Sequence, residues 1–175
     1  MPALKQIPEH VQWMGTLIVN LQSLEFALRG FLYNDEKRWK NDGGPSFLDG
    51  IVKGQVLDEN ACTNFDTLGK LIDKYNSKVQ SKSLDLRVDP AIARMRDALA
   101  HGRIAGVSPS TNEPLRLVKY DKPKKGFMCV TDYHVLTKQW FDEKGELIAK
   151  SIENVLQAME LFSTYNRSTV KERCP

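Results

Sequence analysis

The sequence predicts an all-α bundle of four helices with a β-hairpin inserted between the third and fourth. Three observations carry that expectation. Apolar residues recur at spacings of three and four in separate stretches, the pattern changes to alternation only between Glu113 and Tyr133, and Gly, Pro and polar clusters punctuate the stretches. In the first helix, Trp13 to Tyr33, Leu17, Leu21, Leu24, Leu28 and Phe31 run 4, 3, 4, 3 along one face. The polar segment Asn34 to Gly44 ends it, with Asp42-Gly43-Gly44-Pro45 as the breaker. Pro45 to Asn64, interrupted by Gly50 and Gly54, reads as irregular.

The second helix starts near Asp66 or Thr67, either of which suits an N-cap, and buries Leu68, Leu71, Ile72 and Tyr75 before fading into Asn76 to Ser83. Asp89-Pro90 opens a short third helix with Ile92, Met95 and Leu99 on one side and Gly102 as its stop. Leu115 to Val118 and Phe127 to Tyr133 read as two strands joined through Asp121, Pro123 and Gly126, a hairpin with a lysine-rich tip. In the closing helix Ile148, Ile152, Val155, Met159 and Phe162 again run 4, 3, 4, 3, with Gly145 upstream to bend or delay its start.

A chain of 175 residues with 27% charged and 41% hydrophobic residues predicts one globular domain, 1–175. Its 25 basic and 22 acidic residues give a net charge of +3, which allows a local basic patch and excludes a strongly cationic, duplex-coating surface. Cys62, Cys129 and Cys174 are odd in number and far apart, which suits a reducing compartment and argues against both a disulfide framework and a Cys-ligated zinc site. No metal-ligand spacing such as H-E-x-x-H occurs, so neither metal nor cofactor is expected. Without a signal-like or membrane-spanning apolar stretch, the expected setting is the cytoplasm.

Chemistry concentrates in one segment. Arg96-Asp97-Ala98-Leu99-Ala100-His101, followed by Gly102, sets an arginine and a histidine with four residues between them at the end of the third helix. This resembles the R-x4-6-H motif of the HEPN superfamily in its "LAHG" variant. The surroundings are similar too: Leu24-Glu25-Phe26 on the first helix, "TLGKLI" at Thr67 to Ile72, and a long closing helix. The likeness spans Trp13 to Tyr165. It implies an up-and-down four-helix bundle that dimerises and joins two motif copies in one cleft. Many such proteins are metal-independent endoribonucleases, often toxins or antiviral effectors, whereas others are non-catalytic modules that bind a nucleotide or a protein. An antitoxin or nucleotidyltransferase partner is a further implication.

The chemistry of the residues agrees. A histidine, with an unperturbed pKa of about 6.5, suits the transfer of a 2′-hydroxyl or leaving-group proton without a metal. A guanidinium can hold two phosphate oxygens, which assigns Arg96 to the phosphate. Asp97, four residues before His101, lies on its face and can orient the imidazole. Arg96 and His101 project about 140° apart on an ideal helix, while Arg94 lies seven before the histidine, so Arg94 stands as a second phosphate contact. Arg103 joins these arginines in the expected RNA-attracting groove. The same residues also suit an ordinary C-terminal cap and a solvated helix face. Glu25 and Arg29 are either supports projecting into the cleft or an exposed i to i+4 ion pair. The tip cations Lys119, Lys122, Lys124 and Lys125, with Arg116, are either an RNA-tracking finger or a solubilising turn.

Overall fold

The computed structural model describes residues 7–37, 39, 50–106 and 114–171. Its elements are, in order, α1 (Ile7–Glu36), α2 (Leu68–Ser81), α3 (Ala91–His101), β1 (Arg103–Ala105), β2 (Arg116–Tyr120), β3 (Val130–Val135) and α4 (Lys138–Lys171). The all-α expectation is overturned by the strands. They form a three-stranded antiparallel sheet in the order β1-β2-β3, in which Arg103 faces Val118 and Val118 faces Tyr133. The residues thus build a mixed helix and sheet fold in place of an up-and-down four-helix bundle with a hairpin appended. The cause is local. Gly102 stops α3 and the next three residues pair at once with β2, a strand too short to leave an alternating pattern of its own.

Two compact units divide the chain, Met1–Gln22 with Ala91–Ala149 and Ser23–Pro90 with Lys150–Pro175. In the first, Leu17 and Leu21 of α1, Ile92, Met95 and Ala98 of α3, Leu117 of β2 and Phe141 and Ile148 of α4 are buried. His10 Nε2 lies 3.1 Å from the Leu136 carbonyl, and the His10, Trp13 and Phe141 rings pack together. Thr137 caps α4, its hydroxyl accepting from the Trp140 amide at 3.1 Å. The helix therefore starts at Lys138 and runs through Gly145, which does not delay it. His134 lies within β3.

In the second unit, Leu24, Leu28 and Phe31 of α1, Leu68, Leu71, Ile72, Tyr75 and Val79 of α2, and Val155 and Phe162 of α4 form the core. Thr67 is the N-cap of α2, and buried Val79 carries that helix through Ser81, past the expected fade at Asn76. Gly30 admits Met159, whose Cε would stand 3.1 Å from any Cβ placed there. Asn76 brackets Val88, donating to its carbonyl at 2.8 Å and accepting from its amide at 2.9 Å. The breaker at 42–45 lies outside the described residues.

Candidate active site

The three sides of α3 do different things. Ile92, Met95 and Ala98 turn inward. Asp97 and His101, one turn apart, share the outward side, with Asp97 Oδ1 3.5 Å from His101 Nε2. The His101 side chain is 66% exposed. The helix closes without it: the Gly102 amide donates to the Ala98 carbonyl at 2.7 Å. A Cβ at position 102 would stand 2.4 Å from that carbonyl oxygen and 2.7 Å from Leu117 Cδ1, so only glycine lets β2 approach the end of α3 this closely.

Sequence reasoning placed Lys119 among the tip cations, and the structure puts it elsewhere. Along β2, Leu117 and Lys119 alternate onto the face that meets α3, and Lys119 Nζ donates to Asp97 Oδ2. That hydrogen bond holds the Asp97 carboxyl below the usual carboxylate range against an opposing burial cost, with the Lys119, His101 and Arg96 charges adding to it. The same bond pushes the Lys119 ammonium above its ordinary value. A signal was available. A lysine two residues from a buried leucine in a half-buried strand needs an anion.

Arg94 and Arg96 are exposed and make no ion pair or hydrogen bond among the described residues. Arg94 lies almost two turns from His101 on the same side, whereas Arg96 is rotated about 140° away. Arg103 follows on β1, its guanidinium carbon 5.4 Å from the centre of the Tyr120 ring. The structure thus brings Asp97, His101 and Lys119 together, and leaves Arg94 and Arg96 free to meet an anion from outside. At the tip, Lys124 is 3.5 Å from Asp121.

Glu25 and Arg29 belong to the second unit, and their expected i to i+4 pair is present but part-buried, not exposed. Their ion pair exists at 2.9 Å, but Arg29 is neither an exposed partner nor free to reach a phosphate. Its guanidinium also donates to the carbonyls of Ala61, Asn64 and Asp66 and to Asn64 Oδ1, at 2.9 to 3.2 Å. It pins the segment before α2 onto α1. Beneath it, burial pushes the Cys62 thiol up to about 11, which makes it a poor nucleophile.

No family model, curated protein or solved structure matches the chain. The geometry must carry the functional reading. A groove of about 450 Å³ in the first unit, lined by α1 residues such as Trp13 and Leu17 and α4 residues such as Phe141 and Glu146, includes none of the α3 residues. The Asp97–His101 pair lies outside that groove, with both side chains substantially exposed. Among the described residues no three His, Cys, Asp or Glu side chains cluster as a metal site, and no helix is long and apolar enough to cross a membrane.

Proposed function

We propose that the chain is a HEPN-like, metal-independent endoribonuclease that works as a homodimer in the cytoplasm, with a toxin or antiviral role. The observation that supports the reading is the exposed His101, not consumed by helix capping and with Asp97 Oδ1 3.5 Å from its Nε2, on a helix whose exposed Arg94 and Arg96 make no ion pair among the described residues. Buried or carbonyl-bound, that histidine would be structural. In the proposed reaction His101 takes the 2′-hydroxyl proton, and the 2′-oxygen attacks the adjacent phosphorus. The bond from phosphorus to the 5′-oxygen breaks, and the partner copy's His101 protonates the leaving oxygen. Arg96 stabilises the charge on the phosphate, Arg94 is a second contact and Asp97 orients the imidazole. Two copies are required because one α3 presents one histidine and turns its Arg96 away from it. The products are a 2′,3′-cyclic phosphate and a 5′-hydroxyl.

The test incubates purified protein with labelled RNAs in the presence of a chelator and maps the ends. Cyclic phosphate ends that vanish in His101→Ala and Arg96→Ala, with thermal midpoint and dimer unchanged, support the reading. Intact RNA throughout would sink it. The engagement of Asp97 by Lys119 favours one second reading, a non-catalytic module binding a nucleotide or protein at the same helix end, because an aspartate already neutralised has less to offer the imidazole. A nucleotide that raises the melting temperature of a chain inert toward RNA would select it.

A further inference from the structure

The two faces of the sheet are occupied differently. On the inner face Leu117 is buried, Lys119 holds Asp97, and His134 packs against Trp140 with ring centres 5.5 Å apart. On the outer face the register sets Arg103, Val118 and Tyr133 in one cross-strand row. Tyr120, two residues along β2 from Val118, points the same way, and the Arg103 guanidinium over its ring confirms the shared side. Tyr120 and Tyr133 are 39% and 54% exposed, and neither hydroxyl has a hydrogen-bond partner among the described residues. A strand face that meets only water alternates to polar side chains; this one presents valine and tyrosine.

Charge decides what fits there. Arg103 borders the rings on β1, and Lys122 and Lys125 at the hairpin tip have no anionic partner among the described residues. The nearby acids are committed elsewhere: Asp132 pairs across the strands with Lys119, on the inner side, and Asp121 is 3.5 Å from Lys124. Exposed rings interleaved with cations that have no anionic partner among the described residues match the recognition of single-stranded nucleic acid, whose bases stack on aromatic side chains while cations hold the phosphates. Tyr133 faces Val118 and Tyr120 lies two residues further along β2, past a register shift, so the two rings stand diagonally on neighbouring strands where adjacent bases can reach both. His101 ends α3 with only Gly102 between it and β1, so the face begins where the candidate active site stops.

We infer that the outer face of the sheet is a platform for single-stranded RNA, with Tyr120 and Tyr133 each stacking a base and Arg103, Lys122 and Lys125 holding phosphates. The inference rests on the reading of the chain as acting on RNA and adds the route by which the strand reaches His101.

The experiment measures binding of a fluorescein-labelled single-stranded RNA of about a dozen mixed-sequence nucleotides by anisotropy, using the full chain with His101→Ala so that nothing is cleaved. Tyr120→Ala and Tyr133→Ala are each expected to weaken binding roughly 5- to 150-fold, the phenylalanine variants to restore it, and Arg103→Gln to weaken it and flatten its salt dependence. Unaltered thermal midpoints show that the exposed rings are not needed for folding. Alanine variants that bind like the parent overturn the platform, as does a duplex RNA that competes equally well, or a Tyr133→Ala change that dissociates the dimer while RNA binding persists. The two proposals fail separately. Binding that needs the tyrosines in a chain that never cleaves RNA removes the nuclease and keeps the platform, whereas cleavage with unchanged KM in the double alanine variant does the reverse.

Discussion

Arg29 shows how much one side chain can organise. Its five donors are spread over Glu25, Asn64 and three backbone carbonyls, a planar fork that an ammonium cannot imitate. Arg29→Ala is expected to cost about 2–4 kcal/mol by urea unfolding, and Arg29→Lys to recover little of it. Tyr75 makes a second test. Its hydroxyl donates to the Leu86 carbonyl at 2.7 Å and lies 3.2 Å from that of Asn154, and burial drives its pKa well above the ordinary tyrosine value. A raised native pKa gives stability that is complete below the unfolded value of about 10 and declines as pH rises beyond it. Tyr75→Phe should lower stability near neutral pH by about 1–2 kcal/mol and remove this alkaline decline, read from unfolding at pH 8 to 11. Asp97 acts in the opposite sense. Its lowered carboxyl favours the folded chain above the unfolded value of about 3.9, and the benefit is lost as pH falls through the native value. The Lys119→Met variant should therefore differ from the parent modestly at pH 6 and converge on it in acid, since the carboxylate is half-exposed.

Among the elements, helices were legible wherever the apolar spacing was long. Leu17, Leu21, Leu24, Leu28 and Phe31 are all buried, as are Ile148, Val155 and Phe162. Legibility failed where a single interaction set a boundary, with Thr137 starting α4 and Val79 extending α2, and where β1 follows the expected Gly102 stop at once. The candidate site was half legible for the same reason. Asp97 and His101 meet through helix periodicity, whereas Lys119 arrives from a strand 22 residues on and depends on tertiary packing. Gly102→Ala tests that junction. Its Cβ must displace either backbone or Leu117, so a loss of about 2–4 kcal/mol is expected in thermal or urea unfolding. At the far end of the hairpin, Lys125 and Gly126 both have positive φ, 53° and 85°, with reciprocal bonds between Lys124 and Phe127, the geometry of a type I′ turn. Lys125→Asn supplies the preferred Asn-Gly pair and should raise the melting temperature slightly.

For the whole molecule, a net charge of +3 cannot hold RNA by a diffuse field. On the proposed reading, affinity for RNA comes from a few placed cations. If three or four of them meet phosphates of a single strand, the logarithm of the binding constant should fall with the logarithm of salt at a slope of about −2 to −3. A much steeper slope would point to a broad basic surface that the sequence does not contain. The division into two units has a consequence in time as well as in space. Every residue assigned to the first unit precedes position 150, whereas the second still needs the segment from Lys150 onward. During synthesis, which proceeds from the N-terminus, α3, the sheet and the opening turns of α4 are all in the growing chain before the last wall of the other unit has been made. In chain order, then, every segment of the unit that carries α3 and the sheet is synthesised before the last segment of the other unit.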